Sequence, residues 1–130
     1  MQNRNQLFDF AVDQHATDIH ICAGAPVLFR LGGKLKPVME DQLTPEKSRQ
    51  LCYELLTEEQ IKQFEENLDF DLMLAHNGSR FRVNVGYFNG AVGATVRVLA
   101  GEPKTPDELL LPETVKTLAH KEKGLVLITG

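Results

Sequence analysis

The chain has few cysteines, no tryptophan, no long apolar run and no excess of positive charge. Its two cysteines, Cys22 and Cys52, are too few for a disulfide framework and lack the CxxC spacing of many metal and redox sites. No apolar run approaches the roughly 20 residues that a transmembrane helix needs, and no secretory leader pattern opens the sequence. We therefore expect a protein of the reducing cytoplasm that reaches a membrane only through partner proteins.

The charge balance argues against nucleic acid as a partner. Fourteen Lys and Arg residues against eighteen Asp and Glu residues leave a formal net charge of −4 at pH 7. Such a chain has no overall positive field to hold a phosphate backbone. Its 130 residues, of which 42% are hydrophobic and 25% charged, are typical of one globular domain with a buried core.

Hydrophobic spacing in the first half of the chain predicts a mixture of helices and short strands. An apolar stripe with helical spacing runs through residues 5–15, and alternation predicts strands over 17–22 and 26–38. Thr44 and Thr57 then carry the N-cap signatures of two helices. These elements indicate the α+β class.

The stretch over residues 70–99 predicts a three-stranded antiparallel meander. Its two dipeptides of the hairpin type, Asn77-Gly78 and Asn89-Gly90, each separate alternating segments. We therefore expect an antiparallel sheet made of this meander and the N-terminal strands, with helices beside it.

The last part of the chain has a different character. Residues 101–104 have the composition of a linker, Thr105 opens another helix-start pattern, and residues 115–119 predict a short helix. Residues 125–130 form an unalternating aliphatic run, which is typical of a strand buried on both faces in a parallel sheet. Because a P-loop follows such a strand in many ATPases, Gly130 is a candidate for its first glycine, and we expect the chain to break off there.

An arginine pair is the strongest candidate for a binding function. If the second hairpin turn is centred on its Asn-Gly dipeptide, Arg82 lies opposite Arg97 on one face of the sheet, and Asp71 lies diagonal to Arg82. One interpretation is a self-neutralising network of these three side chains. The other is that the arginine pair binds a phosphate or a carboxylate of another chain. On the residues alone we favour the network, because surface charge ladders are common.

A metal site is the other candidate that the residue types suggest. His15, Asp18, His20 and Cys22 are close in sequence, but alternate strand positions lie about 6.5 Å apart and no second ligand motif supports them. We therefore predict no metal site and leave the roles of His20 and Cys22 open. No arrangement typical of a nucleophile with its base is present, so we predict no catalytic residue.

Three stretches together carry a resemblance to a known family. They are Ala16-Thr17-Asp18-Ile19-His20-Ile21 with Gly24-Ala25-Pro26 and Arg30; Ser79-Arg80-Phe81-Arg82-Val83-Asn84 with Val96-Arg97; and Lys123-Gly124-Leu125-Val126-Leu127-Ile128-Thr129-Gly130. In order and spacing they resemble the N-terminal region of the twitching-motility ATPases that retract type IV pili, within the type II/type IV secretion ATPase superfamily. The resemblance covers nearly the whole chain.

The resemblance implies a PAS-like domain over residues 1–100, a linker over 101–104 and the truncated beginning of a RecA-like P-loop domain over 105–130. The parent protein is then an ATPase that uses ATP and Mg. It works in the cytoplasm as a homo-hexamer, in which this domain packs on the ATPase domain of a neighbour, and it acts on an inner-membrane pilus platform protein. The 130-residue piece lacks Walker A beyond Gly130 and all of Walker B, so we expect it neither to hydrolyse ATP nor to hold a cofactor alone.

The resemblance also assigns roles to particular residues. It implies that Arg82 and Arg97, with Arg80 beside them, contact the nucleotide phosphates when the two domains close. This revises our preference for the self-neutralising network, and whether the arginines bind phosphate or only pair with Asp71 stays open. Release after hydrolysis then lets the domains rotate. The adenine side of the site corresponds to three leucines, Leu109, Leu110 and Leu125. This chain departs from the family there, because the family commonly has a glycine after its leucine and this chain has Leu110-Leu111-Pro112.

Three alternatives stay open. The parent could be a pilus-assembly or type II secretion ATPase, although those relatives usually carry a longer N-terminal extension. The domain could be a stand-alone PAS-like ligand sensor, which needs an apolar cavity of about 300 Å³ or more. It could also be a docking module that uses its acidic helices, although runs such as Glu58-Glu59 and Glu65-Glu66 are more often a solvated face.

Overall fold

The computed structural model describes residues 3–99 and 104–129. Within these ranges the helices are α1 (Arg4–Asp13), α2 (Pro45–Tyr53), α3 (Glu58–Asn67) and α4 (Glu113–Ala119). The strands are β1 (Asp18–Ile21), β2 (Leu28–Leu31), β3 (Lys34–Pro37), β4 (Asp69–His76), β5 (Ser79–Phe88) and β6 (Ala91–Leu99). The predicted α+β class is confirmed. None of these helices is long and apolar enough to cross a membrane.

All six strands form one sheet in the order β3-β2-β1-β6-β5-β4, and every neighbouring pair is antiparallel. The predicted meander of β4, β5 and β6 is confirmed, and β1 joins it to the N-terminal strands by pairing with β6. The central residues of both hairpin turns have positive φ, as type I′ turns require: 46° and 77° for Asn77 and Gly78, and 53° and 80° for Asn89 and Gly90. These turns set the register of the meander.

Two helices begin at the predicted caps. The Thr44 side chain accepts a hydrogen bond from the Lys47 amide at 3.3 Å. Thr57 forms a capping box, because its hydroxyl accepts from the Gln60 amide at 3.3 Å while its own amide donates to Gln60 Oε1 at 2.9 Å. Each cap pairs backbone N–H groups that have no partner within the helix.

The core lies between one face of the sheet and α1, α2 and α3. Phe8 of α1 is buried and stacks on Phe81 of β5 with ring centroids 4.1 Å apart. Ile19 and Val96 are also fully buried on this face of the sheet. Since side chains alternate along a strand, the intervening residues form the opposite surface, which we call the open face. It carries Asp18, His20, Arg30, Asp69, Asp71, Arg80, Arg82, Asn84, Thr95 and Arg97.

One local prediction near the end of the chain is wrong. The helix-start pattern at Thr105 forms only a turn, in which the Leu109 amide donates to the Thr105 carbonyl at 3.0 Å, and Leu110 with φ 52° ends it. Residues 125–129 are exposed and do not pair with the sheet. Their assignment to a buried strand of a second, parallel sheet stays a prediction. Most of the predicted linker, 101–103, and Gly130 lie outside the described residues.

Candidate functional site

A shallow cavity of about 300 Å³ lies on the open face, where β4, β5, β6 and β1 adjoin. Its lining consists of polar side chains, which are Asp18, Asp71, Arg82, Asn84, Thr95 and Arg97. Because antiparallel neighbours project to the same side, the register alone brings these residues together from four strands. The lining suits a charged ligand better than an apolar one.

The predicted arginine pair is present in this cavity. Arg82 and Arg97 are direct cross-strand partners, and both side chains are 67% exposed. Asp71 lies opposite Asn84, as predicted, and its Oδ1 is 4.0 Å from Arg82 Nε. That distance is too long for a hydrogen bond, and an exposed ion pair of this kind stabilises a fold little. Asp71 therefore leaves most of the Arg82 charge available.

Asp18 is the buried carboxylate of the site. β1 lies between β2 and β6, so Asp18 is paired with both Arg30 and Arg97. The Arg97 Nε–H donates to Asp18 Oδ1 at 3.1 Å, and the Arg30 Nε–H donates to Oδ2 at 3.1 Å. The Thr17 hydroxyl also donates to Oδ2, at 2.9 Å, and the Asp18 side chain is only 9% exposed. Arg97 is thus held by Asp18 rather than by Asp71.

The pKa of Asp18 is lower than its ordinary value of 3.8. Burial by itself raises this pKa, but the hydrogen bonds from Arg97 and Thr17 and the positive charges of Arg97 and Arg30 lower it by more. Asp18 is therefore ionised at neutral pH and is a permanent partner for the two guanidinium groups.

His20, in β1, and Cys22, the residue directly after β1, follow Asp18 at alternate positions of the chain. His20 Nε2 is buried and has no hydrogen-bond partner among the described residues. Burial and the nearby charge of Arg30 lower the pKa of His20, although Asp18 acts in the opposite direction, and burial raises the pKa of the Cys22 thiol. Both groups are therefore uncharged at neutral pH. Within residues 3–99 and 104–129, no three His, Cys, Asp or Glu side chains are grouped so that they could hold a metal ion.

The other predicted binding residues lie apart from the cavity. Arg80 is exposed on the open face two positions before Arg82 but does not line the cavity. Leu109, Leu110 and Leu125 are 50%, 90% and 82% exposed and do not line it either. Their assignment to the adenine side stays a prediction.

Reasoning from the residues did not find the pairing of Asp18 with Arg30 and Arg97. The signal for Arg30 was available, because an acidic and a basic residue at matching positions of a hairpin indicate a cross-strand ion pair. The contact with Arg97 joins positions 79 residues apart. No local pattern indicates that β1 pairs with β6.

The open face can bind an anion. Arg97 donates only its Nε–H to Asp18, and its terminal amines make no hydrogen bond to the described residues. The open face carries four arginines, Arg30, Arg80, Arg82 and Arg97, against three carboxylates, Asp18, Asp69 and Asp71. A planar guanidinium with free terminal N–H groups matches the oxygens of a phosphate.

Comparisons with known proteins indicate to which family the chain is related. The chain is 32% identical over 126 residues to the type IV pilus ATPase PilU of Pseudomonas aeruginosa, which is 96% of this chain and 33% of that protein. It is 33% identical over 126 residues to the type IV pilus retraction ATPase PilT of the same organism, again 96% of this chain and 37% of that protein. A crystal structure of the pilus retraction motor PilT with bound ADP superposes with a TM-score of 0.79 and 34% identity, over 93% of this chain and 36% of that one. No protein-family model matches the chain.

The chain spans about a third of the length of the curated relatives that it matches. The matched part is their N-terminal domain, and the resemblance to the twitching-motility ATPases is therefore confirmed.

Proposed function

We propose that this chain, a homologue of the N-terminal domain of the type IV pilus retraction ATPases, is the regulatory and oligomerisation domain of a hexameric ATPase that powers pilus retraction. In such a protein the domain packs on the ATPase domain of a neighbouring subunit. The motor works in the cytoplasm against a platform protein of the inner membrane. The domain itself supplies charge and movement, and the catalytic groups for ATP hydrolysis lie in the other part of the protein.

The site acts in this proposal as a charge clamp on the nucleotide phosphates. The observation that carries it is the placement of Arg82 and Arg97 side by side, where the terminal amines of Arg97 make no hydrogen bond to any residue that the structure describes. Two like charges on facing strands repel each other. A phosphate group between them removes this repulsion, so nucleotide favours the closed arrangement of the two domains.

The sheet suits the domain for a rigid-body movement. Arg82 and Arg97 lie on adjacent interior strands of a six-stranded sheet, and buried side chains support both strands from the other face. A force on the arginines therefore moves the whole domain instead of bending one loop. When hydrolysis removes the terminal phosphate, the clamp weakens and the domains rotate apart.

ATP supplies the phosphates that this clamp binds, and Mg accompanies ATP in the parent protein. The arginines of the open face suit phosphate oxygens. We propose that Arg80, two positions before Arg82 on β5, extends the contact although it does not line the cavity. The Asp18 carboxylate is shared between two arginines, so we assign it no role in binding Mg.

The test is the substitution Arg97→Ala in the full-length protein. Losing one charge-assisted hydrogen bond to a phosphate costs about 1.5–3 kcal/mol, and a contact made in the transition state then lowers turnover about 10- to 150-fold. We expect this loss in steady-state ATP hydrolysis, with the variant still folded by circular dichroism.

The matched control is Arg49→Ala. Arg49 is an arginine of α2, which packs on the other face of the sheet, and it forms an exposed ion pair with Glu65 at 2.9 Å. This variant loses the same charge and should keep wild-type turnover. Unchanged turnover in Arg97→Ala would contradict the clamp.

A further inference from the structure

Asp18 contacts only the Nε of the Arg97 guanidinium. The Arg97 guanidinium has one N–H on Nε and four on its terminal nitrogens, and the hydrogen bond to Asp18 Oδ1 uses the Nε–H. A carboxylate that accepted hydrogen bonds from the two terminal nitrogens would compete with a phosphate for the same donors. A carboxylate at Nε instead fixes the direction of the guanidinium and leaves its terminal amines for a ligand.

Asp18 is itself held independently of Arg97. The Arg30 Nε–H and the Thr17 hydroxyl both donate to its Oδ2. Arg30 is anchored in turn, because its terminal amine donates to the Gly33 carbonyl at 3.2 Å. The Asp18 charge therefore stays paired when Arg97 adjusts toward an anion, which avoids the cost of leaving a buried charge without a partner.

Among the described residues, no buried carboxylate holds Arg82, the other member of the arginine pair. Its neighbour Asp71 is 55% exposed and lies 4.0 Å away, whereas Asp18 is 9% exposed and makes hydrogen bonds at 3.1 Å. Arg97 is therefore the arginine of the pair whose direction a hydrogen-bonded carboxylate fixes. From this difference we propose that Asp18 is a positioning residue, which orients Arg97 through its Nε so that the terminal amines meet a phosphate of the nucleotide.

This proposal rests on the charge clamp, and a double-mutant cycle separates the two. The full-length wild type, Asp18→Ala, Arg97→Ala and the double variant are compared for kcat and KM with MgATP. A misplaced contact group lowers the rate up to about 100-fold, so we expect Asp18→Ala to lower kcat/KM about tenfold. The share of this loss that falls on kcat, and the share that falls on KM, should be the same as in Arg97→Ala. The double variant should be no worse than Arg97→Ala alone, because Asp18 acts only through Arg97.

The outcomes are distinct. Losses that multiply in the double variant would mean that Asp18 supports only the fold, which overturns the positioning role. Wild-type activity of Asp18→Ala beside an impaired Arg97→Ala would overturn the positioning role and leave the clamp standing. Wild-type activity of Arg97→Ala would overturn both. Asp13→Asn, an exposed carboxylate at the end of α1, is the charge-matched control and should be silent.

Two further variants keep the test decisive when Asp18→Ala fails to fold. Asp18→Asn keeps the shape of the side chain, loses its charge, and should lose activity in the same direction. Arg97→Lys leaves Asp18 intact and retains the positive charge, but a single ammonium cannot pair with Asp18 and also present a planar fork to a phosphate. We expect this variant to lose at least about fivefold in kcat/KM. Wild-type activity would contradict the idea that Arg97 binds Asp18 through Nε and a phosphate through its terminal amines.

Discussion

At the scale of single residues, the open face depends on one buried carboxylate. A buried charge is costly unless it is paired and hydrogen-bonded, and Asp18 meets both conditions through Arg30, Arg97 and Thr17. The arginine pair was identifiable from the hairpin turns, since an Asn-Gly turn determines which residues face each other. The partner of Arg97 was not identifiable, because it depends on a contact between distant strands.

The lowered pKa of Asp18 predicts a pH dependence of stability. A group whose pKa is lower in the folded state stabilises the fold above its unfolded pKa, here 3.8, and this contribution is lost as the pH falls through the folded value. The difference in unfolding free energy between the wild type and Asp18→Asn should therefore be largest at neutral pH and shrink in acid. Urea unfolding of both proteins over a pH series measures it. A difference that does not change with pH would show that the Asp18 charge contributes nothing.

At the scale of the elements, local signals predicted most of the structure well. The caps at Thr44 and Thr57 and the two Asn-Gly turns are short-range features, and each is where it was expected. The run at residues 125–129 is a different case, because its predicted strand belongs to a parallel sheet that the described residues do not contain. A strand needs a neighbour for its backbone hydrogen bonds, and aliphatic composition alone does not supply one.

The close approach of β1 to β6 at Gly93 leads to a prediction about two glycine substitutions. Gly93 and Gly86 are cross-strand partners, yet an added Cβ at Gly93 would lie 2.7 Å from the Ile21 carbonyl oxygen, whereas at Gly86 the nearest atoms are at 3.5 Å. We expect Gly93→Ala to lower the unfolding free energy by about 1–3 kcal/mol because the backbone of β1 must shift. Chemical denaturation measures this.

Gly86→Ala is the matched control, because it adds the same methyl group at ordinary contact distance. It should change the unfolding free energy by less than about 1 kcal/mol. Equal losses in the two variants would mean that the cost lies in replacing a glycine of the sheet and not in the close approach of β1.

At the scale of the whole molecule, charge is divided unevenly. The chain has a net charge of −4, but arginines outnumber carboxylates on the open face. The net charge argues against a nucleic-acid partner, but it could not indicate a local site for a small anion. That site arises only when β1, from the start of the chain, pairs with the meander of β4, β5 and β6.

The central claim is that Arg82 and Arg97 contact nucleotide phosphates, and the most direct measurement is a structure of the full-length protein with a bound ATP analogue. We predict that the terminal amines of Arg97 lie within hydrogen-bond distance of phosphate oxygens, about 2.7–3.2 Å, while its Nε–H still donates to Asp18. Arg82 should lie beside the same phosphates. A closed, nucleotide-bound structure in which both arginines remain in solvent, away from the phosphates, would contradict the account.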